Sequence, residues 1–234
     1  MDIYTSLMTA IKTEYYVVKE LKTGPRGLVQ VLRHKASGKR FVFRHYEGTA
    51  DVYRRLLPIS CANLPQIMEV GEKGGKVVVL EEYIQGDTLY YLLEGSLIPP
   101  EEAKKILRQL CSALWVLHSL GAVHRDIKPE NVILRGSEAV LIDFDASRIY
   151  KAEQDNDTKV LGTVGFAAPE QYGISQSDGR ADIYSMGVLL NIMLTGKHPS
   201  VELAEGKLGR VVQKCTMMNP QMRYDSVLSL MEAL

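Results

Sequence analysis

The sequence predicts an α+β fold made of two lobes, a small β-rich lobe followed by a larger helical one. In the first 83 residues, short runs rich in Val, Tyr and Phe alternate with Gly-containing turns, a pattern typical of strands. After residue 100 the apolar residues recur at helical spacing instead. The chain has 234 residues, 46% of them hydrophobic, enough to bury one large core or two small ones.

Charge and cysteine content narrow the class of protein. The formal net charge is zero, so we expect neither nucleic acid nor a membrane surface as a partner of this chain. Cys61, Cys111 and Cys215 are odd in number and far apart, which is typical of reduced cytosolic thiols rather than disulfides. We find no signal-peptide pattern and no apolar run of membrane-spanning length. We expect a cytoplasmic protein, or the cytoplasmic domain of a longer, membrane-anchored one.

The β-rich lobe is expected to begin with a helix. Residues 1–14 carry apolar positions at helical spacing, and this helix should pack on the strands that follow. Residues 49–57 form a second, short helical stretch that Pro58 limits. The predicted strands are residues 15–21, 28–32, 40–46, 67–70 and 76–81.

The helical lobe is predicted to contain one amphipathic and one buried helix. The first begins at Pro100, ends near Gly121 and presents one apolar stripe; we interpret its Trp115 and His118 as packing or surface residues. The second, residues 182–194, is apolar nearly all round, as in a helix buried on all sides. The rest is predicted as a hairpin, residues 132–134 and 139–142, and helical stretches at 211–215 and 225–234.

Residues suited to phosphate chemistry flank that hairpin. Before it stands His124-Arg125-Asp126-Ile127-Lys128-Pro129-Glu130-Asn131, and after it Asp143-Phe144-Asp145. Phosphoryl transfer needs a group that orients the attacking hydroxyl, positive charge for the transferred group, and oxygen ligands for magnesium. Asp126 can accept the hydroxyl proton, and Lys128 can contact the γ-phosphate. Asn131 and Asp143, which the hairpin brings together, can hold the metal.

These motifs carry a resemblance to a known family. The stretch from His124 to Asn131 resembles the catalytic loop of protein kinases, and the likeness extends from about Tyr15 to Arg223. Ala168-Pro169-Glu170-Gln171-Tyr172 looks like the bacterial members of the eukaryotic-type (Hanks-type) Ser/Thr kinases. The resemblance implies one bilobal protein kinase domain over residues 1–234. Its N-lobe would be residues 1–83, with the hinge from about residue 82, and its C-lobe residues 84–234.

The resemblance also implies ATP and a divalent metal, Mg²⁺ or Mn²⁺. Asn131 and Asp143 match the metal ligands of the family. The positions that match its nucleotide-binding residues lie in the first hairpin, on the third strand, at the hinge and under the adenine. They are Gly24, Gly27, Val29, Val42, Arg44, Glu82 through its C=O, Ile84 through its N–H, and Ile133.

The protein substrate is implied by a later motif. Gly162-Thr163-Val164-Gly165 matches the loop that lies near the substrate in Ser/Thr kinases. By resemblance Thr163 should bridge Asp126 and Lys128, which favours Ser and Thr over Tyr as acceptors. The expected partners are therefore ATP and a protein that presents a Ser or Thr hydroxyl.

A regulatory segment is implied at residues 146–161. Arg125 precedes Asp126, an arrangement that pairs with a phosphorylated activation segment, and the candidate acceptors there are Ser147, Tyr150 and Thr158. The alternative is a flexible surface loop that needs no phosphate.

Two structural contacts are also implied by the family pattern. Asp182 should brace the backbone of the catalytic loop. Glu170 and Arg223 should form a buried ion pair that ties the activation segment to the late helices.

The β-rich lobe departs from the family pattern at three places. Lys22 stands at the first glycine of the glycine-rich loop, and Arg44 replaces the Lys that holds the α- and β-phosphates. This exchange keeps the charge but changes its shape. The helical stretch that follows has no Glu in register to pair with this cation; the available acids are Glu47 and Asp51.

Two more carboxylates stand at unusual positions. Asp145 replaces the glycine that most of the family has after the metal-binding Asp and Phe, and so narrows the backbone conformations of this segment. Glu81 falls at the position that guards the back of the adenine pocket. If it is buried it needs a partner, for which Arg44 is a candidate; the alternative is that Glu81 points to solvent.

Three hypotheses for function follow. The leading one is an ATP-dependent Ser/Thr protein kinase. The second is a pseudokinase, a nucleotide-binding or protein-binding scaffold, which Lys22, Arg44, the missing Glu and Asp145 favour. The third is a small-molecule kinase on the same fold, against which the Thr163 loop and Ala168-Pro169-Glu170 argue because these motifs serve peptide substrates.

Overall fold

The structure is a computed structural model that describes residues 2–24, 27–150, 163–172 and 177–234. These residues form two compact units. The β unit comprises everything described before Ala62, together with Pro65–Ile84. The helical unit comprises Ala62–Leu64 and the described residues from Gln85 onward. The predicted α+β class, with a β-rich part followed by a helical part, is confirmed.

The β unit is built on a five-stranded antiparallel sheet whose order is β1-β2-β3-β5-β4. Each predicted strand is present, because β-branched and aromatic residues alternate between turns that Gly residues allow. The strands are β1 (Tyr15–Gly24), β2 (Gly27–His34), β3 (Arg40–Glu47), β4 (Ile67–Lys73) and β5 (Lys76–Glu82).

The predicted N-terminal helix, α1 (Ile3–Glu14), covers one face of this sheet. Leu7 is buried against Phe43 on β3 and Leu80 on β5. A Cβ at Gly71 on β4 would lie 2.6 Å from the Tyr4 Cα, so this close approach of helix to strand requires a glycine. Arg44 and Glu81 alternate with Phe43 and Leu80 along their strands and therefore belong to the opposite face.

The second helix of the β unit, α2 (Asp51–Leu56), is as short as the sequence predicts. It buries Val52, Tyr53 and Leu56, while Asp51 is exposed at its first position. Pro58 follows shortly after its end and cannot continue it.

The helical unit contains the remaining five α-helices of the described residues. The apolar stripe of α4 is buried, and so is most of α5, which ends where Gly196 takes a φ of +72°. These helices are α3 (Leu89–Leu93), α4 (Pro100–Ser119), α5 (Gly179–Thr195), α6 (Gly206–Cys215) and α7 (Val227–Ala233).

Two small sheets in the helical unit place the catalytic motifs. One contains β6 (Asp87–Thr88), β8 (Val132–Arg135) and β9 (Glu138–Leu141); the other pairs β7 (Ala122–Val123) with β10 (Arg148–Ile149). The stretch from His124 to Asn131 therefore connects β7 to β8, and Asp143 lies two residues after the end of β9.

The division between the units falls after Ile84, one residue beyond the boundary expected from the sequence. Ala62–Leu64 belongs to the helical unit because Asn63 is tied to β9. The Asn63 side chain donates to the Ala139 carbonyl at 2.9 Å, and the Leu141 amide donates to the Asn63 carbonyl at 2.9 Å. Among the described residues, no helix has both the length and the apolar character that crossing a bilayer requires.

All three cysteines are free thiols. Cys111 and Cys215 are buried, and burial raises the pKa of the Cys111 thiol to about 12. A thiol held in this way stays protonated at neutral pH and packs as a small apolar side chain.

Candidate active site

Asp182 on α5 binds the backbone of the predicted catalytic loop, residues 124–131. One carboxylate oxygen accepts a hydrogen bond from the His124 amide at 2.9 Å, and the other accepts from the Arg125 amide at 2.8 Å. Arg125 has a φ of +70°, a left-handed conformation that is strained for a side chain with a Cβ. The two hydrogen bonds hold this strained residue in place, and the predicted brace is confirmed.

His118 on α4 completes the brace, whereas the sequence predicts only a packing or surface residue at this position. Its Nε2 donates to the Asp182 carboxylate at 2.8 Å. The ring lies so close to α5 that a Cβ at Gly179 would come within 2.9 Å of it. Burial alone would raise the pKa of Asp182, but the hydrogen bond from His118, together with nearby positive charge and the Arg125 amide, lowers it.

His124 is a neutral, fully buried part of the same loop. Burial lowers its pKa, although the charges of Asp182 and Asp126 act in the opposite direction. The Nε2–H donates to the Ile142 carbonyl at 3.3 Å, and Nδ1 accepts from the Asp126 amide at 3.3 Å. The ring therefore links the residue before Asp143 to the residue expected to act as base.

Three predicted catalytic side chains meet in a closed triangle of polar contacts. The Lys128 ammonium lies 2.8 Å from one oxygen of Asp126, and it donates to the Thr163 hydroxyl at 2.7 Å. The Thr163 hydroxyl donates to the other Asp126 oxygen at 2.7 Å. The expected bridge by Thr163 is present, and a carboxylate, an ammonium and a hydroxyl are assembled at one place.

Asp126 is kept ionised by these neighbours. Burial would raise its pKa, but the hydrogen bonds from Lys128 and Thr163, together with the Lys128 charge, lower it below the ordinary value. An ionised carboxylate is an acceptor only. Asp126 can therefore accept a hydrogen bond from an incoming hydroxyl and align that hydroxyl for attack.

Asn131 and Asp143 supply the oxygen atoms that a divalent metal would need. The Asn131 side-chain nitrogen donates to the Asp126 carbonyl at 2.8 Å and to its carboxylate at 3.1 Å, so the side-chain oxygen is the atom suited to a cation. The Ile142 amide donates to the Asn131 carbonyl at 2.9 Å and so anchors this residue beside the segment that leads to Asp143.

This donor set fits magnesium that arrives with a nucleotide. Within the described ranges, no cluster of three or more His, Cys, Asp or Glu side chains is arranged to hold a metal by itself. Magnesium is usually bound through one or two carboxylates together with substrate phosphates and water. Asp143 and the Asn131 amide oxygen would supply the protein ligands for that mode, and their contact with a metal stays a prediction.

The segment after Thr163 is also tied to the catalytic loop. The Gln171 side chain donates to the Arg125 carbonyl at 2.8 Å and accepts from the Ala168 amide at 3.0 Å, a role that the sequence analysis did not assign. The predicted Glu170–Arg223 pair is confirmed as two parallel hydrogen bonds of 2.6 and 2.9 Å, and the Arg223 side chain is fully buried.

In the β unit, the first hairpin positions three of the predicted nucleotide-binding residues. Gly24 and Gly27 face each other at its tip, and Val29 lies opposite Arg44 on β3. Gly27 has a φ of +132°, and a Cβ there would lie 2.5 Å from the His45 carbonyl oxygen. Only glycine allows β2 to begin this close to β3.

Arg44 and Glu81 form a buried ion pair in the β unit. Their exposed fractions are 4% and 2%, and the Arg44 Nε donates to a Glu81 carboxylate oxygen at 2.8 Å. The alternative in which Glu81 points to solvent is therefore wrong. The cation in register with the phosphate-binding Lys of the family has its acidic partner on the neighbouring strand of the same sheet.

Three of the other predicted nucleotide-binding residues lie on strands, and Ile84 lies two residues after the end of β5. Val42 is the cross-strand partner of Glu81, and the Glu82 amide at the end of β5 donates to the Gln66 carbonyl. Ile84 is buried in the β unit. Ile133 lies on β8 of the helical unit. Their contact with a nucleotide stays a prediction.

Of the two predicted regulatory residues, the structure describes Arg125 but not Thr158. Arg125 is buried, with 2% of its surface exposed, next to Asp126, the predicted base. Thr158 lies outside the described residues. The pairing of Arg125 with a phosphorylated Thr158 therefore stays a prediction.

Comparison with protein families and curated proteins agrees with this geometry. The family model described as "Protein kinase domain" matches residues 15–229. The Serine/threonine-protein kinase pkn2 of Myxococcus xanthus is 31% identical over 194 residues, which is 80% of this chain. Serine/threonine-protein kinase D of Synechocystis sp. is 33% identical over 201 residues, 74% of this chain. Serine/threonine-protein kinase SRK2J of Arabidopsis thaliana is 30% identical over 219 residues, 88% of this chain.

The relatives are longer than the part that matches. The aligned region accounts for 23%, 38% and 64% of the bacterial pkn2, the cyanobacterial kinase D and the plant SRK2J, respectively. A nucleotide and a divalent metal are usual for this family. With its catalytic loop, its Ala168-Pro169-Glu170 motif and a family match over residues 15–229, the chain belongs to the protein kinase family as a Ser/Thr kinase catalytic domain.

Proposed function

We propose that this chain transfers the γ-phosphate of MgATP to Ser or Thr hydroxyls of a protein substrate. The observation that carries the proposal is the triangle of Asp126, Lys128 and Thr163. It combines an acceptor for the attacking hydroxyl with a positive charge beside it, and phosphoryl transfer depends on such positioning and charge more than on covalent chemistry.

In the proposed step, Asp126 accepts the hydrogen bond of the substrate hydroxyl and takes its proton as the new bond forms. The hydroxyl oxygen bonds to the γ-phosphorus, and the bond from the γ-phosphorus to the β–γ bridging oxygen breaks, so ADP leaves. Lys128 stabilises the negative charge on the transferred group. Thr163 holds the carboxylate and the ammonium in a fixed relation through its two hydrogen bonds.

Asn131 and Asp143 would hold the divalent metal, Mg²⁺ or Mn²⁺. When bound, the metal neutralises charge on the nucleotide phosphates. The side-chain nitrogen of Asn131 donates hydrogen bonds to Asp126, and these bonds orient the side-chain oxygen of Asn131. The same contact couples the metal-binding side chain to the base.

The β unit would hold the nucleotide. Arg44 would provide the positive charge for the α- and β-phosphates, and the amides of the paired Gly24 and Gly27 would lie near them. By resemblance to the family, Val29, Val42 and Ile133 would contact the adenine. Backbone groups of Glu82 and Ile84 would bind the adenine edge.

The proposed partners are ATP and a protein that carries the acceptor. Arg125 would pair with a phosphate on Thr158 if the activation segment is itself phosphorylated. The free cysteines suit a reducing compartment, and we infer a cytoplasmic location for this domain.

The test is transfer of labelled phosphate. Purified protein is incubated with γ-labelled ATP, magnesium or manganese, and a generic basic protein substrate, with Asp126→Asn alongside. We expect the wild type to label the substrate and the variant to lose roughly 10²- to 10⁴-fold in rate while still binding MgATP. A wild type that binds MgATP without transferring phosphate would support the scaffold hypothesis, and an unchanged rate in Asp126→Asn would contradict the role of Asp126.

A further inference from the structure

The Arg44–Glu81 pair is held by the sheet itself. Arg44 lies on β3 and Glu81 on the adjacent β5, and the two strands pair with Val42 opposite Glu81 and Arg44 opposite Val79. The two side chains are therefore diagonal neighbours on one face. A hydrogen-bonded ladder fixes their backbones, so the 2.8 Å contact between Nε and the carboxylate does not depend on a helix or a loop.

The contact also constrains which way the guanidinium points. A guanidinium is a planar fork with donors at Nε and at both terminal nitrogens. Glu81 engages the Nε edge, and this fixes the plane of the group and the direction of its terminal nitrogens. An arginine stem has several rotatable bonds, so a fixed plane removes conformational freedom that a ligand would otherwise have to remove.

We propose that Glu81 is the positioning residue for the phosphate-binding cation Arg44. The inference rests on the proposed function, in which Arg44 binds the nucleotide phosphates. In the family an acid on the helix after β3 orients the cation. Here Glu81 on β5 would take that role. Glu47 and Asp51 are both exposed, whereas Glu81 is buried against Arg44.

Positioning and simple charge neutralisation predict opposite changes in MgATP affinity when Glu81 is removed. If Glu81 only neutralised Arg44, its removal would leave more positive charge for the phosphates, and MgATP would bind more tightly. If Glu81 orients Arg44, its removal frees the arginine stem, and MgATP binds more weakly. Ordering one such side chain costs binding affinity by about two- to tenfold.

The experiment is calorimetric titration of MgATP and of adenosine into the wild type, Glu81→Gln and Glu81→Asp. Glu81→Gln keeps the shape and removes the charge, and Glu81→Asp keeps the charge but is one methylene shorter. We expect each variant to weaken MgATP binding by about two- to tenfold and to leave adenosine binding unchanged. A melting curve of each variant confirms that it is folded, and Glu81→Asp carries the test if the neutral variant does not fold.

Two sets of controls separate positioning from structure. Asp51→Asn and Glu47→Gln remove the exposed acids near α2 and should leave MgATP affinity unchanged. In an Arg44→Met background, Glu81→Gln should have no further effect on MgATP binding, because the side chain that it positions is gone.

The outcomes distinguish this inference from the proposed function. Tighter or unchanged MgATP binding in both Glu81 variants would overturn the positioning role while the wild type still transfers phosphate. Equal loss of adenosine and MgATP would also overturn it and show that the pair only holds the sheet together. A wild type that does not bind MgATP would overturn the proposed function, and the inference with it.

Discussion

The two units of this kinase domain differ in how closely they follow the family pattern. In the helical unit, Asp126, Lys128 and Thr163 make the contacts that the resemblance implies, and Asp182 braces the loop beneath them. In the β unit, Arg44 stands where the family has a Lys. Its partner is Glu81 on the neighbouring strand β5, whereas the family places the acidic partner on the following helix.

The difference teaches which contacts tolerate replacement. The residues of the triangle would touch the reacting atoms, where a small displacement is costly. The residues of the β unit would hold the nucleotide, and holding requires a positive charge in the right place rather than one particular side chain. A buried Arg–Glu pair across two strands would meet that requirement with a different set of residues.

The largest effect on stability is expected in the helical unit, from Arg223→Ala. The substitution leaves the Glu170 carboxylate buried without its two hydrogen bonds. Loss of one partner of a buried pair costs about 3–5 kcal/mol, which corresponds to a fall of roughly 6–20 °C in Tm. Thermal melting checks this, with the exposed Arg210→Ala on α6 as the matched control. Equal melting temperatures for the two variants would contradict the structural role of the pair.

The next effect tests how the β unit is stabilised. Its sheet is covered by α1, which lies before the first residue that matches the family model. Leu7→Ala should cost about 2–5 kcal/mol, because Leu7 is buried among Leu32, Phe43 and Leu80. Ile3→Ala, on the same helix but 60% exposed, should change the free energy of unfolding by less than about 0.5 kcal/mol. If denaturant unfolding gave the same loss for both, α1 would not be part of the core.

A smaller effect, on binding, separates the two units by function. Arg44→Met should weaken MgATP binding by roughly ten- to a hundredfold, since a charge-assisted hydrogen bond contributes about 1.5–3 kcal/mol. Adenosine has no phosphates and should bind nearly as well as to the wild type. Arg44→Lys keeps the charge and should bind MgATP within a few-fold of the wild type without faster turnover. Calorimetry with both ligands decides, and a parallel loss of adenosine would mean that Arg44 only holds the sheet together.

The smallest expected effect is a dependence of thermal stability on pH, caused by His45 in the β unit. His45, hydrogen-bonded to Tyr4 of α1, has its pKa lowered by partial burial and then by the charge of Lys76. Below the ordinary histidine pKa of about 6.5, the unfolded chain therefore binds more protons than the folded one, and stability falls as the pH drops. Melting temperatures between about pH 7.5 and 5.5 should fall more steeply in the wild type than in His45→Gln. Identical slopes would exclude His45 as a contributor.

Much of the fold could be predicted because its signals are local. The strands and helices follow from apolar periodicity and turn residues, and the catalytic loop is a continuous motif whose spacing indicates the residues on either side of one hairpin. Thr163 and Arg223 are distant in sequence from their partners, but the family pattern implied both contacts.

The rest depends on contacts that no local pattern determines. Arg44 and Glu81 are 37 positions apart, so the sequence offers their pairing only as a candidate, and the register between β3 and β5 decides it. His118 was placed among packing residues because its partner, Asp182, is 64 positions away on a different helix. Gln171 belongs to a quoted motif, but its bond to the Arg125 carbonyl depends on how the loop folds back.

The central claim is that Asp126 in the helical unit acts in the chemical step and that Arg44 in the β unit binds MgATP. Its most direct test is steady-state transfer of labelled phosphate over a wide range of MgATP concentrations. We compare the wild type, Asp126→Asn and Arg44→Met with the same protein substrate. The account predicts that Asp126→Asn loses kcat at every MgATP concentration, because its defect lies in the chemical step. Arg44→Met should mainly raise the KM for MgATP by roughly ten- to a hundredfold and recover much of its rate at saturation. Full activity of Arg44→Met at low MgATP, or transfer by Asp126→Asn at the wild-type rate, would contradict it.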